Sequence, residues 1–317
     1  MKTVGFPISH KENEYRRAII PEDLKKIKYV DQLFFEKGYG NVLGYSDEEY
    51  SRTGAHIVNA EEVLKKDIIC DPKIGDADYL DKLSEQTIFG WVHLVQNKDI
   101  TDRVLDKKLT AYVWEDMYDM GRHSFWHNNE MAGEAAIMHA FQCYGEMPYN
   151  TKVAIIGRGN VANGANRILT SLGAEVTIYS RVTEQLFRRE MTNYHVIVNA
   201  LLWDTNRKDH LIYRKDLKRL KKNSLIIDIS CDKAGAIETS IPTTIDKPVY
   251  WVDGVMHYVV DHTPSLFYKT ASQGISLEVV KYIDELIEDR PGEVLSGALA
   301  VKHGDIVDKR IVEFQNR

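Results

Sequence analysis

One short segment of this chain has the residue types and spacing to bind a dinucleotide. The apolar run Val153–Ile156 predicts a buried strand, and a GxGxxA sequence follows it at once. In such a turn the first glycine permits a tight bend, and the second lets a pyrophosphate approach the backbone. The small third residue keeps the next helix close to its strand. We therefore predict a dinucleotide-binding loop made of Gly157, Arg158, Gly159, Asn160, Val161 and Ala162.

The end of the next predicted strand indicates which dinucleotide is bound. NAD-binding segments usually have Asp or Glu about twenty residues after the glycines, where it holds the adenosine ribose hydroxyls. This chain has Ser180 and Arg181 there, so no carboxylate repels a 2′-phosphate and the Arg181 guanidinium can pair with one. Arg158 could add a second cation. The alternative is that both arginines are solvated surface residues; we predict NADP(H), with Ala200 and Leu201 completing the cofactor site.

The composition excludes several classes of partner. The chain has 317 residues, 44% hydrophobic and 28% charged, which suggests two domains that each bury a core. The net charge is −6 without a basic block, so we expect no nucleic-acid partner. No apolar run approaches the roughly 20 residues of a membrane span, and the first residues lack a signal peptide. The three cysteines have no metal-binding spacing. We expect a cytoplasmic protein without a metal.

Predicted strands and helices alternate along the chain, which indicates an α/β fold of two domains. We predict a Rossmann dinucleotide-binding domain over residues 127–274, opened by a long connecting helix, Asn128–Tyr144. Residues 1–126 form a second α/β domain, completed by residues 275–317, where the apolar helix Ser276–Ile287 returns to it. Within the first domain, Pro21 with its acidic neighbours predicts a helix running towards Lys37.

Six short motifs resemble one known family in that family's order. From Gly5 to about Ser276, these motifs resemble the alanine dehydrogenase and transhydrogenase-α family: ENEYRRAIIP, SDEEYSRTGAHIV, IFGWVHL, NEMAG, IETSIPTT and YWVDGVMHY. The resemblance implies a nicotinamide-dependent oxidoreductase that acts on small molecules and assembles as a homo-oligomer.

The family's catalytic residues map onto four positions of this sequence. Arg16 matches the arginine that binds the substrate carboxylate, and a guanidinium fork suits the planar carboxylate of a keto acid. Lys73 and His93 each follow a predicted strand and match the catalytic lysine and histidine. An imidazole titrates near pH 6.5 and can donate a proton to a carbonyl oxygen. Asp253 matches an aspartate near the nicotinamide, although Asp-Gly is also an ordinary turn pair.

Departures from the alanine dehydrogenases indicate a different amine substrate. Tyr144 leads almost directly into the dinucleotide strand, where alanine dehydrogenases carry a further glycine-rich stretch, and Ser180-Arg181 favours NADP. Both features resemble a shorter branch of the family that reductively condenses pyruvate with the side-chain amine of ornithine or lysine. Glu115, Asp116 and Glu130 are candidates to hold the amino acid's α-ammonium. The alternatives are an alanine dehydrogenase that uses ammonia and a non-catalytic NADP(H)-binding sensor.

Overall fold

The computed structural model describes residues 1–204 and 207–317, which form two compact units. Unit 1 comprises residues 1–125 and 268–317, and unit 2 comprises residues 126–267. The sequence prediction placed the domain changes after residues 126 and 274. Each unit is built on a largely parallel sheet with helices in its connections, so the predicted α/β fold class is confirmed.

The strands follow one another through both units. They are β1 (Val4–Phe6), β2 (Leu33–Glu36), β3 (His56–Val58), β4 (Ile68–Cys70), β5 (Thr87–Gly90), β6 (Thr110–Val113), β7 (Tyr118–Asp119), β8 (Arg122–His123), β9 (Lys152–Ile156), β10 (Glu175–Tyr179), β11 (Val196–Asn199), β12 (Leu225–Asp228), β13 (Val249–Val252), β14 (Val255–Tyr258), β15 (Leu299–Lys302) and β16 (Asp305–Ile306). The short pair β7–β8 forms a separate hairpin.

The α-helices occupy most of the connections between these strands. They are α1 (Pro21–Leu24), α2 (Asp47–Ser51), α3 (Ala60–Val63), α4 (Lys98–Asp106), α5 (Trp126–Tyr144), α6 (Asn160–Ser171), α7 (Glu184–Glu190), α8 (Arg214–Leu217), α9 (Tyr268–Val279), α10 (Ile283–Ile287), α11 (Glu293–Gly297) and α12 (Lys309–Gln315). None of the helices within residues 1–204 and 207–317 combines the length and hydropathy that a membrane-spanning segment requires.

Unit 1 has a doubly wound sheet. Its parallel strands lie in the order β3-β2-β1-β4-β5-β6, and β15 and β16 continue the sheet in antiparallel fashion beyond β6. The strand order reverses between β1 and β4, which are neighbours in the sheet. In sheets of this kind, ligands bind outside the carboxyl ends of the strands at such a switch point. The loops that follow β1 and β4 are therefore where a ligand of unit 1 is expected.

The predicted helix from Pro21 towards Lys37 is wrong beyond its first turn. Helix α1 ends at Leu24, and residues Leu33–Glu36 form strand β2, which pairs in parallel with β1. Leu33 and Phe35 are fully buried, whereas their neighbours Phe34 and Glu36 are partly exposed. This alternation has the period of a strand, and pairing with a buried neighbour outweighs the acidic helix-start signal at Pro21.

Helix α9 holds the loop after β1 in place. The Ser272 hydroxyl accepts a hydrogen bond from the Arg17 amide (2.8 Å), and the Ser276 hydroxyl accepts one from the Ile20 amide (3.1 Å). Ser276 also donates to Asp23 (2.6 Å). The predicted helix Ser276–Ile287 is in fact two, α9 and α10, and both contribute to the same apolar core as β1 and β2.

Unit 2 contains a second doubly wound sheet. Its strands lie in the order β10-β9-β11-β12-β14-β13, all parallel except the edge strand β13. Helices α5 and α6 pack so closely that a side-chain carbon at Gly164 would overlap the carbonyl oxygen of Glu130. One at Gly133 would likewise overlap the carbonyl oxygen of Val161. The strand order reverses between β9 and β11, so the ligand of unit 2 is expected at their carboxyl ends.

Candidate active site

Three of the four predicted catalytic residues lie at one edge of the unit 1 sheet. Arg16 follows β1, Lys73 follows β4 and His93 follows β5, and these strands are parallel neighbours. Their carboxyl ends therefore meet along a single edge, with Arg16 and Lys73 on the two sides of the switch point. The structure brings these three residues to the place where the strand order predicts a ligand.

The Arg16 guanidinium is oriented by a buried carboxylate. Glu14 accepts from Arg16 Nε (2.8 Å) and from a terminal guanidinium nitrogen (2.6 Å), and both side chains are almost wholly buried. Burial raises the pKa of Glu14, but the charge and hydrogen bonds of Arg16 more than offset this, so the pKa lies below its usual value. The guanidinium also lies 5.2 Å from the ring centre of Trp91. Arg16 is thus held in a fixed plane, as recognition of a planar carboxylate requires.

Arg17 has a structural environment instead. Its Nε donates to the Tyr39 carbonyl (2.6 Å), and another guanidinium nitrogen donates to the Arg16 carbonyl (2.9 Å). The guanidinium also packs on the ring of Tyr39, 5.4 Å from its centre. Because these contacts are with backbone oxygens and an aromatic ring of the core, the geometry favours Arg16 over Arg17 as the carboxylate anchor.

Lys73 has one aspartate beside its side chain and another bound to its backbone amide. Its Nζ is 3.2 Å from Asp76 Oδ2, and its amide donates to Asp71 Oδ1 (3.0 Å). Tyr79 donates to the other oxygen of Asp71 through a short hydrogen bond. Burial raises the pKa of Asp71 to about 6, against these two hydrogen bonds, which lower it. Asp71 therefore fixes the start of the loop that presents Lys73, which is itself buried.

His93 has a constrained backbone. Its φ is 56°, in the left-handed region that non-glycine residues seldom occupy. The partly buried Glu115 carboxylate accepts from the His93 amide (2.5 Å) and from the Val92 amide (3.3 Å), which holds this turn. Burial raises the pKa of Glu115 to about 7, although the amide hydrogen bonds lower it. Glu115 is thus a partly buried acid with a raised pKa that holds the turn at the predicted proton donor.

The dinucleotide loop of unit 2 has the geometry that its sequence predicts. Gly157 has a φ of 131°, and a side-chain carbon there would lie 2.5 Å from the Ala200 carbonyl oxygen. At Gly159, by contrast, nothing lies within 4 Å of the corresponding position, which leaves space for a pyrophosphate. Ala162 is buried in the core between the helices and the sheet. The residues present therefore fit a dinucleotide at the switch point of this sheet.

The other predicted cofactor residues lie along the same edge. Ser180 and Arg181 follow β10, and Ala200 and Leu201 follow β11, on the two sides of β9. An Arg181 guanidinium nitrogen donates to the Leu202 carbonyl (2.9 Å), which links the two loops. Arg181, Leu201 and Leu202 line a cavity of about 130 Å³. Arg158 is exposed within the glycine loop.

Asp253 does not share this edge, which argues against its predicted role near the nicotinamide. It forms the two-residue turn of the β13–β14 hairpin with Gly254, with φ values of 47° and 83° that are typical of a type I′ turn. Because β14 is parallel to β12, the turn before β14 lies at the amino edge of the sheet, opposite the glycine loop. Arg214 binds Asp253 at 3.1 Å and keeps the pKa of that carboxyl below its usual value.

Asp232 is an acidic residue that lies at the expected edge and that the sequence prediction missed. It follows β12, whose carboxyl end is beside that of β11. Burial and the neighbouring Asp228 carboxylate raise the pKa of Asp232 to about 6. Asp228 is fully buried and accepts from Asn199 Nδ2 (2.9 Å) and the Cys231 amide (3.3 Å), so it fixes this loop. The signal in the sequence was an aspartate four residues after the last residue of this apolar strand.

Two of the three candidates for the α-ammonium site are bound to cations. Asp116 pairs with Arg310, and Glu130 pairs with Arg167 at 2.9 Å, which ties α5 to α6. Glu115 is used by the turn at His93, as described above. All three carboxylates therefore already have partners within the protein.

Comparison with known proteins identifies the family of this chain. The N-terminal domain of the alanine dehydrogenase/PNT family matches residues 5–134, and the C-terminal domain of that family matches residues 179–309. The chain belongs to the alanine dehydrogenase/PNT family. The resemblance read from the six motifs is thereby confirmed, and so is the prediction of an oxidoreductase that uses a nicotinamide dinucleotide.

Individual relatives are similar over nearly their whole length. The N(5)-(carboxyethyl)ornithine synthase of Clostridium botulinum is 33% identical, covering 88% of this chain and 93% of the relative. The enzyme of the same name from Lactococcus lactis is 32% identical, covering 86% and 92%. Alanine dehydrogenase 1 of Staphylococcus aureus is 24% identical, covering 94% and 93%. An L-alanine dehydrogenase structure superposes with a TM-score of 0.83 at 20% identity, over 99% of both chains, which supports the fold.

Proposed function

We propose that this protein condenses pyruvate with the side-chain amine of ornithine or lysine and reduces the resulting imine with NADPH. The final product is N5-(1-carboxyethyl)ornithine or its N6-lysine analogue, and water and NADP⁺ are released. The observation that carries the proposal is the cluster of Arg16, Lys73 and His93 at the unit 1 switch point, in a chain more similar to carboxyethylornithine synthases than to alanine dehydrogenase 1.

Substrate binding begins at the oriented guanidinium. Glu14 fixes the plane of Arg16, and the pyruvate carboxylate binds to this cation. Lys73, across the switch point, polarises the keto oxygen with its positive charge. Because both cations are buried, their attraction for an anionic keto acid is less screened than it would be in water.

The condensation step requires protons to leave the amine and to reach the keto oxygen. A side-chain amine has an ordinary pKa near 10.4 and must lose a proton before its nitrogen attacks the keto carbon. A C–N bond then forms, and the former keto oxygen leaves as water after taking up protons. We assign the proton donor to His93, whose turn is held by Glu115. The result is an imine at the former keto carbon.

The residues after β9, β10 and β11 would hold the cofactor. Gly159 leaves room for the pyrophosphate, and Arg181 would pair with a 2′-phosphate, which supports NADP(H) over NAD(H). When bound, the nicotinamide supplies the hydride that reduces the imine. Asp232, rather than Asp253, is the acidic residue that we propose near this end of the sheet.

Turnover with different amines tests the proposal directly. Loss of NADPH absorbance is measured with pyruvate present and with ornithine, lysine or ammonium as the amine, and the series is repeated with NADH. We expect consumption that requires ornithine or lysine and proceeds faster with NADPH. Consumption with ammonium and NADH alone would instead identify an alanine dehydrogenase. Binding of NADPH without turnover for any amine would support a sensor.

Two further parts of the proposal concern assembly and location. We propose a homo-oligomer that acts in the cytoplasm on small molecules, without a nucleic-acid partner. Sedimentation velocity of the purified chain tests the first part, because a single species with the mass of a monomer at micromolar concentration would contradict it.

A further inference from the structure

An ion pair joins the two loops at the unit 1 switch point. Lys11 lies in the loop after β1, and Asp76 lies in the loop after β4. Lys11 Nζ donates to Asp76 Oδ2 at 2.8 Å, and the same oxygen is 3.2 Å from Lys73 Nζ. One carboxylate oxygen therefore connects Lys11 to the lysine that faces the keto acid in the proposed reaction.

This pair is accessible from solvent, unlike the Glu14–Arg16 pair. The exposed fractions of the Lys11 and Asp76 side chains are 19% and 34%. The second oxygen of Asp76, Oδ1, accepts no hydrogen bond from any residue that the structure describes. A carboxylate offers about four acceptor positions on its two oxygens, so Asp76 can bind a further cation without releasing either lysine.

An α-amino acid carries the charges that such a pair can recognise. Its α-ammonium and α-carboxylate are opposite charges on neighbouring atoms, and a Lys–Asp pair presents the complementary arrangement. We propose that Asp76 binds the α-ammonium and Lys11 binds the α-carboxylate of the amino acid whose side-chain amine is condensed. This inference rests on the proposed function and adds a substrate-recognition site to it.

The position of the pair suits the reaction. The three methylenes of ornithine separate the amino acid's charged head from its reacting nitrogen. The proposed head site spans both loops at the switch point: Lys11 is on the same loop as Arg16, and Asp76 is on the same loop as Lys73. The acidic residues considered first lie outside these two loops, because Glu115 and Asp116 follow β6 and Glu130 is in α5.

Amines that lack one charge of the head separate the two roles. The amine 5-aminovalerate lacks the α-ammonium, and 1,4-diaminobutane lacks the α-carboxylate. With pyruvate and NADPH saturating, kcat/KM is measured for both and for ornithine, in the wild type and two variants. Asp76→Asn should lower the ratio of kcat/KM for ornithine to that for 5-aminovalerate about 10- to 100-fold. Lys11→Met should lower the ratio for ornithine to that for 1,4-diaminobutane by a similar factor.

The ratios cancel any general effect of a variant on Lys73 or on folding. Asp78→Asn is the matched control, because Asp78 is on the same loop but pairs with His10 in an exposed bridge of 3.2 Å. It should leave both ratios at wild-type values. A uniform loss for all amines in Asp76→Asn would mean that Asp76 only supports Lys73, and unchanged ratios in both variants would mean that no head site exists here. Either result overturns the inference while the proposed function stands.

Failure of the proposed function has a different signature. A wild-type enzyme that consumes NADPH with ammonium, and with neither ornithine nor lysine, would overturn both proposals. A wild-type enzyme that uses 5-aminovalerate as well as ornithine would retain the condensing reaction and overturn only the head site.

Discussion

At the residue scale, two adjacent arginines have different tasks that their surroundings determine. Arg16 is paired with a buried carboxylate at the switch point, whereas Arg17 donates to backbone carbonyls of the core. The motif ENEYRR contains both arginines, together with Glu14. The contacts distinguish a cation oriented by a buried carboxylate from one that binds core carbonyls, in agreement with the motif alignment that favours Arg16.

Replacing each arginine with lysine should therefore have different consequences. Arg16→Lys keeps the charge but loses the fork, so KM for pyruvate should rise about 10- to 100-fold. Arg17→Lys loses two hydrogen bonds to carbonyls and should destabilise the fold by about 2 kcal/mol with little change in KM. Steady-state kinetics and thermal melting measure the two effects. The opposite pattern would transfer the anchor role to Arg17.

The partly buried Glu115 should make the stability of the protein depend on pH. Burial raises its pKa from 4.5 to about 7 in the folded chain, so between these pH values the folded state keeps a proton that the unfolded state has released. The free energy of unfolding therefore falls as pH rises through this range, by up to about 1.4 kcal/mol per pH unit for one group. Asp71, whose pKa burial raises to about 6, acts in the same direction.

Glu115→Gln cannot ionise and should lessen this dependence. We expect the fall in melting temperature between pH 5 and pH 8 to be smaller in the variant than in the wild type. Glu61→Gln, on the exposed surface of α3, is the control and should retain the wild-type slope. A melting temperature that rises across this range, or equal slopes in all three proteins, would contradict the assignment of a raised pKa.

At the element scale, helix α6 joins the dinucleotide loop to the core of unit 2. Gly159 precedes the helix and faces open space, whereas Gly164 lies against the backbone of α5. The same residue type thus serves ligand access at one position and helix packing at the other. Both requirements fall on one element because the loop that binds the pyrophosphate leads directly into a helix packed against the sheet.

Alanine at these two glycines should separate ligand binding from stability. Gly164→Ala would place a carbon on the Glu130 carbonyl oxygen, so we expect a loss of about 1–3 kcal/mol or more from overpacking. Gly159→Ala should melt near the wild-type temperature but bind NADPH more weakly, because its methyl group occupies the space for the pyrophosphate. Melting curves and NADPH fluorescence titrations measure the two properties. Normal binding by Gly159→Ala would place the pyrophosphate elsewhere.

At the scale of the whole molecule, a bound dinucleotide should stabilise the fold by mass action. A ligand at 100 times its dissociation constant adds about 2.7 kcal/mol if it binds only the folded state. We expect NADP⁺ to raise the melting temperature more than NAD⁺ at equal concentration. Arg181→Gln should remove this difference, while Arg189→Gln, exposed on α7, should keep it. Equal stabilisation by the two dinucleotides in the wild type would contradict the NADP preference.

Local patterns in the sequence were enough to predict the dinucleotide loop and much of the secondary structure. The GxGxxA loop, the apolar parallel strands and the long helix α5 were all readable, because each depends on backbone stereochemistry and hydrophobic spacing within a short segment. Motif order also identified the family. Lys73 and His93 were predicted as strand-end residues and Arg16 from its match to a family motif, and strand order then placed all three on one edge.

The tertiary structure alone decided which residues share an edge and which ions pair. Asp253 and Asp232 both lie near strand ends, but strand direction puts one at the amino edge and the other at the carboxyl edge. Strand β2 replaced a predicted helix because its pairing with β1 buries Leu33 and Phe35. The Lys11–Asp76 pair forms because β1 and β4 are neighbours in space although 61 residues separate Phe6 from Ile68 in sequence. Such contacts depend on sheet topology, which no local pattern contains.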